Sequence, residues 1–200
     1  MAADSETTGV VLAGGRSTRF GKDKLAVVMR GRPMLHHPVA ALSMLCSEII
    51  VVVGADGEER NAPRDVLAPV RVARDDRPDG GPLVGVAVGL REAKTPYAII
   101  AAGDMPDISQ TLLNFMLQRL REHEDVDALV LQDIDTFRPL PAVVRTRIAE
   151  AADKLLADGK DSLNELFGAV ASRTLSEHDW RPFDPNGNSL RDIDTPEQLP

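Results

Sequence analysis

The segment Thr8-Gly-Val-Val-Leu-Ala-Gly-Gly-Arg-Ser-Thr-Arg-Phe-Gly-Lys-Asp-Lys24 joins an apolar run to a loop rich in glycine and basic residues. Its first part, Thr8–Ala13, has the β-branched composition of a buried strand. The glycines that follow let backbone N–H groups approach an anion without interference from Cβ atoms. The segment therefore predicts a strand that leads directly into a phosphate-binding loop.

Outward from this segment, short apolar runs alternate with longer stretches of helical spacing. We predict strands at 48–53, 70–73, 97–102 and 126–131, with an extended segment at 138–145. Helices are predicted at 33–46, 83–94, 146–157 and 162–170, together with a helix capped by Asp107 or Ser109 that runs to about 123. Pro33 is expected in the opening turn of its helix.

This alternation of elements is typical of a parallel sheet covered by helices on both faces. The predicted fold class is α/β, with a three-layer α/β/α architecture and a mostly parallel, doubly wound, Rossmann-like sheet. We expect a single domain over residues 1–200, in which residues 1–7 form a flexible N-terminus.

Composition narrows the range of partners and compartments. The net charge of −8 argues against a general attraction to nucleic acid, because phosphate-backbone binding needs clustered cations. The single cysteine, Cys46, excludes an intrachain disulfide framework and fits a reducing compartment. The chain has neither the pattern of a signal peptide nor an apolar run that could span a bilayer. We therefore expect a cytoplasmic protein with no nucleic-acid or membrane partner.

The glycine-rich loop does not match the two most familiar nucleotide-binding loops. It contains no G-x-G-x-x-G, and its nearest approach to a P-loop has five residues between Gly15 and Gly21 and lacks Ser or Thr after Lys22. Arg19, Lys22 and Lys24 lie within reach of the same anion. The loop has the glycines and cations needed to bind a triphosphate, but it belongs to neither of these two types.

A second polar site follows the clearest strand, in the sequence Ala101-Ala-Gly-Asp-Met-Pro106. Asp104 stands at the carboxyl end of that strand, the edge at which ligands bind in open α/β sheets. Mg²⁺ usually takes one or two carboxylates together with substrate phosphates, so Asp104 is a chemically sensible ligand. A lone aspartate in this place more often caps the following turn, and the residue alone leaves both interpretations open.

These motifs resemble those of the molybdenum cofactor guanylyltransferases and their related sugar and cofactor nucleotidyltransferases, of the nucleotide-diphospho-sugar transferase type. The family signature LAGG-x-S-x-R-x-G-x-D-K is matched at Leu12–Gly15, Ser17, Arg19, Gly21, Asp23 and Lys24. The family's D-x-P motif, which binds Mg²⁺, is matched at Asp104-Met105-Pro106.

The resemblance implies a role for each matched residue. The nucleotide-binding backbone is then formed by Leu12, Ala13, Gly14 and Gly15. Lys24 contacts the triphosphate and, with Arg19, stabilises charge on the leaving pyrophosphate. Asp104 binds Mg²⁺ next to the nucleotide.

Two further segments resemble motifs of the family but do not match them fully. Asp75, with Asp76 as the alternative, precedes a Gly-Pro-Leu turn and is expected to contact the guanine nucleotide, as is Gly81. In the tail, Asp192-Ile-Asp194 stands where the guanylyltransferases have two asparagines, and related cytidylyltransferases often show the aspartate form. Asp194 is a candidate second Mg²⁺ ligand.

The function implied by this resemblance is transfer of GMP from GTP to molybdopterin, with Mg²⁺ as cofactor and release of pyrophosphate. A CTP-dependent cytidylyltransferase, or an enzyme for another small acceptor, is the nearest alternative. A nucleotide-binding carrier or regulatory protein without transfer activity is the alternative from another class. Transient contact with molybdenum cofactor biosynthesis or acceptor proteins is also expected.

Overall fold

Strands and helices alternate along the chain in the computed structural model, which describes residues 4–14, 23–54, 63, 65–75, 77 and 81–199. The strands are β1 (Asp4–Leu12), β2 (Val28–Met29), β3 (Arg32–Pro33), β4 (Cys46–Val53), β5 (Val70–Arg74), β6 (Tyr97–Ala102), β7 (Ala128–Asp133), β8 (Thr136–Arg145) and β9 (Ser172–Leu175). The α-helices are α1 (His36–Ser43), α2 (Pro82–Glu92), α3 (Gln110–Glu122), α4 (Ala149–Ala157), α5 (Leu163–Ala169) and α6 (Glu177–Trp180). Short 3-10 turns lie at Lys24–Ala26, Thr146–Ile148, Asn188–Leu190 and Pro196–Gln198.

A seven-stranded sheet forms the centre of the fold, in the order β5–β4–β1–β6–β8–β7–β9. The strands β5, β4, β1 and β6 are parallel to one another, and β9 is parallel to β7. Only β8 is antiparallel to its described neighbours, β6 and β7. The prediction of a mostly parallel sheet is confirmed.

The two faces of this sheet carry separate hydrophobic clusters because successive side chains of a strand point to opposite faces. Val11 and Ile99 pack under α1 and α3, together with the chain that follows α6. Val10 and Ile100 pack under α2, α4 and α5. Helices thus cover both faces, which confirms the three-layer architecture. None of the helices in the described part of the chain has the length and apolar character needed to cross a membrane.

The first strand begins earlier than predicted. We expected a flexible segment over residues 1–7 and a strand from Thr8, whereas β1 starts at Asp4. Asp4 pairs with Cys46 of β4, and its carboxylate forms an ion pair with Arg121 of α3. These polar residues did not look like a strand because their partners lie far away in the sequence.

The helix predicted to open at Pro33 begins instead at His36. Arg30 and Gly31 have positive φ values of 48° and 81° and form the turn between β2 and β3. Pro33 lies in β3, where its fixed φ is compatible with an extended chain. The prediction for Pro33 was wrong because the short hairpin gave no apolar alternation.

The strand β9 and the helix α6 were not predicted from the sequence. Three of the four residues of β9 are exposed, so the strand has no hydrophobic pattern, and α6 has a single turn. Trp180 anchors this region: its side chain is buried, and its indole Nε1 donates a hydrogen bond to the carbonyl oxygen of Gln132, 2.8 Å away.

Replacement of Gly89 in α2 by alanine is predicted to destabilise the protein, because a Cβ atom at this position would overlap a methyl group of Val10 in β1. Gly89→Ala should lower the free energy of unfolding by about 1–3 kcal/mol, measured by urea denaturation. Gly168→Ala in α5 is the matched control, since nothing lies within 4 Å of its new Cβ. The control should gain stability through helix propensity, by roughly 0.5 kcal/mol. Equal effects of the two substitutions would contradict the packing explanation.

Candidate active site

The carboxyl ends of β1 and β6 lie side by side and bring the two main motifs together. The N–H of Gly103 donates to the carbonyl oxygen of Leu12 at 2.9 Å, which continues the pairing of the two strands beyond their ends. A Cβ at Gly103 would approach Leu25 and Leu35 to 3.1 Å, so the chain is tightly held just before Asp104. The position of Asp104 is therefore fixed by the sheet.

Lys24 reaches this edge of the sheet from a 3-10 turn. The carboxylate of Asp23 accepts a hydrogen bond of 3.1 Å from the N–H of Leu25, and Leu25 is buried in the core. The cap and the buried leucine together fix the backbone that carries the lysine.

The ammonium group of Lys24 is bound by two carboxylates. Its Nζ donates to Oδ2 of Asp104 at 2.6 Å and to Oδ1 of Asp194 at 3.0 Å. These partners lie 80 and 170 positions away in the sequence. The Lys24 side chain is 14% exposed, against 21% for Asp104 and 52% for Asp194, so the pair with Asp104 is the better shielded.

Burial acts to lower the pKa of Lys24, but the hydrogen bonds and negative charges of Asp104 and Asp194 outweigh it. The net effect raises the pKa above its ordinary value of 10.5. Lys24 is consequently a fixed positive charge at neutral pH, suited to binding anionic oxygen atoms.

The tail segment that carries Asp194 is attached directly to the Asp104 loop. The N–H of Ile193 donates to the carbonyl oxygen of Asp104 at 3.1 Å, and the Ile193 side chain is buried. On the other side of Asp194, the side-chain oxygen of Gln198 accepts from the N–H groups of Asp194 and Thr195, at 2.5 and 2.9 Å. Asp194 is thus held from both sides.

Asp192 adds a third carboxylate to the neighbourhood. Desolvation, and then the negative charges of Asp104 and Asp194, raise the pKa of the Asp192 carboxyl. Arg138 and Lys24 act in the opposite direction. The carboxylates of Asp104, Asp192 and Asp194 therefore repel one another, and a bound cation would reduce that repulsion.

One oxygen of Asp104 has the properties of an open ligand position. Its Oδ1 is buried and has no hydrogen-bond partner among the described residues, whereas Oδ2 accepts from Lys24. Buried carboxylate oxygens are normally paired, so an oxygen without a partner among the described residues fits the role of a metal ligand. The described residues contain no group of three or more potential metal ligands. Mg²⁺ does not require one, since substrate phosphates and water complete its coordination.

Three of the predicted nucleotide-binding residues, Leu12, Ala13 and Gly14, lie along the same edge. Gly14 is exposed, and a Cβ there would stand 3.4 Å from the backbone nitrogen of Gly54, which follows β4. Ala13 is buried, and its N–H donates to the carbonyl oxygen of Val52 at 2.7 Å. The side chain of Leu12 packs against α2, where a Cβ at Gly85 would approach it to 3.1 Å.

Asp75 follows β5 and lies next to the end of β4. Its N–H donates to the carbonyl oxygen of Val53 at 2.9 Å, and its Oδ1 accepts from the N–H of Arg77 at 2.7 Å. The residue is buried and lies on the side of the sheet edge away from Asp104, as the order of the strands requires. This placement is compatible with a contact to the nucleotide.

Gly81 has a structural role that the sequence did not indicate. A Cβ there would lie 2.6 Å from the carbonyl oxygen of Asp161, which also accepts from the N–H of Leu83. A glycine at this position is explained by packing at the start of α2, and its contact with a nucleotide stays a prediction. Gly15, Arg19 and Asp76 lie outside the described residues.

A family model described as the MobA-like NTP transferase domain matches residues 9–174, more than half of the chain. The chain belongs to the MobA-like NTP transferase family. Nucleotidyl transfer is therefore its class of reaction. The edge of the sheet that carries Gly14, Lys24 and Asp104 lies within the matched range, while Asp194 lies beyond it.

Similar proteins extend the comparison over almost the whole chain. The "Probable molybdenum cofactor guanylyltransferase" of Natronomonas pharaonis is 33% identical, covering 97% of this chain and 95% of the relative. The molybdenum cofactor guanylyltransferase of Desulfosudis oleivorans is 31% identical, covering 96% and 92%. The crystal structure of molybdopterin-guanine dinucleotide biosynthesis protein A from Archaeoglobus fulgidus superposes with a TM-score of 0.75 at 21% identity, covering 96% and 94%. This last likeness shows the fold.

Two parts of this transferase site could not be recognised in the sequence. The backbone bond from Ile193 to Asp104 involves no characteristic side chain, and Gln198 gave no signal of its capping role.

The raised pKa of Lys24 predicts how the site contributes to stability as the pH changes. A lysine whose pKa is higher in the folded state stabilises the protein fully below its unfolded pKa, and the effect is lost as the pH rises through the folded pKa. Lys24→Met should therefore lower the free energy of unfolding by about 1 kcal/mol at pH 7. The difference from the wild type should shrink above pH 10.5.

Urea unfolding of both proteins between pH 7 and pH 11.5 measures this difference. Lys154→Met, at an exposed position of α4, controls for the loss of a lysine charge. A difference between Lys24→Met and the wild type that stays constant over the whole range would refute the assigned contribution.

Proposed function

We propose that this chain transfers GMP from GTP to molybdopterin and releases pyrophosphate. Relatives that carry the name molybdenum cofactor guanylyltransferase and align over nearly the full chain support the acceptor and the nucleotide. The observation that carries the proposal is the position of Lys24 between Asp104 and Asp194, at the edge of the sheet that also presents Gly14. A cytoplasmic location is part of the proposal and agrees with a buried cysteine that forms no disulfide.

The reaction is a displacement at the α-phosphorus of GTP. A phosphate oxygen of molybdopterin forms the new P–O bond, and the bond to the β-phosphate breaks, so that its electron pair leaves with pyrophosphate. A phosphate monoester is largely ionised at neutral pH, and the acceptor therefore needs no protein base. The protein contributes position and charge, which are the main terms in phosphoryl transfer.

Each side chain of the site has a part in this scheme. Lys24 donates hydrogen bonds to phosphate oxygens of GTP and stabilises the charge that develops on pyrophosphate. The exposed backbone of Gly14 allows the phosphates to approach closely, and Asp75 accepts from the N–H groups of the base. Arg19 is assigned to the same phosphates by the family signature alone.

Mg²⁺ is part of the proposal because Asp104 offers a buried, unpartnered oxygen and Asp194 a second carboxylate. Asp104 and Asp194 would hold the ion. When bound, it would neutralise charge on the phosphates of GTP. Lys24 would then exchange one or both of its carboxylate partners for phosphate oxygens.

The choice of CTP instead of GTP is a second candidate supported by a specific observation. Asp192 and Asp194 stand where the resembling guanylyltransferases have asparagines, and this aspartate form is typical of related cytidylyltransferases. The two carboxylates lie beside Asp104, where they would affect the metal and the acceptor rather than the base. We therefore retain GTP as the proposed substrate.

Pyrophosphate release should occur only with GTP and molybdopterin present together, when each of GTP, CTP, ATP and UTP is tested with Mg²⁺, with and without the acceptor. Omission of the acceptor is the internal control for hydrolysis. Release with CTP would assign the chain to the cytidylyltransferases. Binding of a triphosphate without any release would indicate a carrier or regulatory protein.

Asp104→Asn is expected to lower turnover at least about 100-fold and to weaken the response to added Mg²⁺, because the amide removes an anionic ligand. EDTA should abolish turnover of the wild type, and added Mg²⁺ should restore it. Asp107→Asn is the matched control: Asp107 lies three residues along the same loop, and its carboxylate pairs with Arg30. An Asp104→Asn enzyme with normal turnover and Mg²⁺ dependence would exclude the assigned role.

A further inference from the structure

The segment that carries Asp194 has an anchor upstream in addition to its local contacts. Residues 191–195 belong to no regular element, and the N–H of Ile193 is the backbone group by which this stretch contacts the Asp104 loop. A single hydrogen bond of this type contributes about 1 kcal/mol. Contacts that set the path of the tail before Ile193 therefore add to this bond, to the buried Ile193 side chain and to the cap by Gln198.

A buried carboxylate immediately upstream provides this anchor. Asp184 is 4% exposed, and its two oxygens accept hydrogen bonds from backbone N–H groups. Oδ1 accepts from Asn188 at 3.1 Å, and Oδ2 accepts from Ser189 at 2.7 Å. Gly187, which lies between Asp184 and Asn188 in the sequence, has a positive φ of 62°, and its N–H donates to the carbonyl oxygen of Asp184. The turn is thus closed around the Asp184 side chain.

This turn is linked to the start of α3. The hydroxyl of Ser189, which is fully buried, accepts from the N–H of Ser109 at 2.8 Å. In return, the hydroxyl of Ser109 donates to the carbonyl oxygen of Phe183 at 2.9 Å and accepts from the N–H of Leu112 at 3.2 Å. Two hydrogen bonds in opposite directions therefore join the tail to the N-cap of α3.

The N-cap of α3 and Asp104 belong to one short connection between β6 and α3. The hydrogen bonds of Asp184, Ser189 and Ser109, which we name the tail latch, consequently fix the tail relative to the same loop that carries Asp104. The ring of Phe115 in α3 stacks on the ring of Phe183, with 3.9 Å between the two ring centroids, and adds apolar contact to the tail latch.

We propose that Asp184 is a positioning residue of the transfer site, which holds Asp194 in register with Asp104 through the tail latch. The proposal rests on the proposed function for its catalytic consequence, although its structural part does not. Asp184 itself contacts backbone groups only in the described structure, and it acts on the site through the path of residues 189–194. The specific consequence is a loss of metal affinity and turnover without a comparable loss of nucleotide binding.

Asp184→Ala and Ser189→Ala test the two halves of the latch. Supporting interactions of metal ligands typically contribute 10- to 100-fold, so we expect the affinity for Mn²⁺ and kcat each to fall by roughly tenfold or more. KM for GTP should change by less than about threefold, because Gly14 and Asp75 lie away from the tail. Amide hydrogen exchange should become faster at residues 188–194 and stay unchanged in β1, β4 and β6.

Asp179→Asn is the matched control. Asp179 also accepts hydrogen bonds from a backbone N–H and a hydroxyl, both of Ser176, but it is exposed and these hydrogen bonds do not reach α3. Urea unfolding measures the global stability of every variant and so separates a local effect on the tail from a loss of the whole fold. If Asp184→Ala does not fold, Ser189→Ala still tests the tail latch. Unchanged exchange at 188–194, unchanged Mn²⁺ affinity, or an equal loss in Asp179→Asn would overturn the proposal.

The proposal and the proposed function fail in different ways. If the wild type releases no pyrophosphate with any triphosphate, the guanylyltransferase assignment is wrong. Mn²⁺ binding measured by electron paramagnetic resonance, without acceptor, and amide exchange still decide whether Asp184 positions the tail.

Discussion

The parallel pairing of β1 with both β4 and β6 is the constraint on which the site depends. Leu12 is paired with Val52 on one side and with Ala102 on the other, so the three strands end at the same level. The glycine-rich loop and Asp104 then leave the sheet as neighbours. A shift of one strand by a single residue would reverse its side chains between the two hydrophobic clusters, and the core therefore holds the site in register.

Charge balance is the second organising feature. Asp104 and Asp194 face one ammonium group, and Asp192 adds a further carboxylate close by. The three carboxylates repel one another and would also repel the phosphates of a nucleotide. A bound cation would reduce both repulsions.

Much of this arrangement could be predicted from the sequence, for identifiable reasons. Strong apolar runs located β4 and β6, and the loop and strand-end motifs marked Lys24 and Asp104, which the structure brings to 2.6 Å. Their catalytic roles stay predictions. The early start of β1 was missed because its partner Cys46 is distant in the sequence, and the hairpin at Pro33 and the strand β9 were missed because neither has an apolar alternation. Asp184 gave no signal because its hydrogen bonds go to the backbone N–H groups of Asn188 and Ser189, which no side-chain motif marks.

The distance in sequence between Lys24 and Asp194 has a consequence for the newly made chain. Protein synthesis delivers β1, β4 and β6 before the tail, and a domain generally folds as a unit. Lys24 and Asp104 are therefore translated long before Asp194. The pairing of Lys24 with Asp194 has to wait until the tail has left the ribosome.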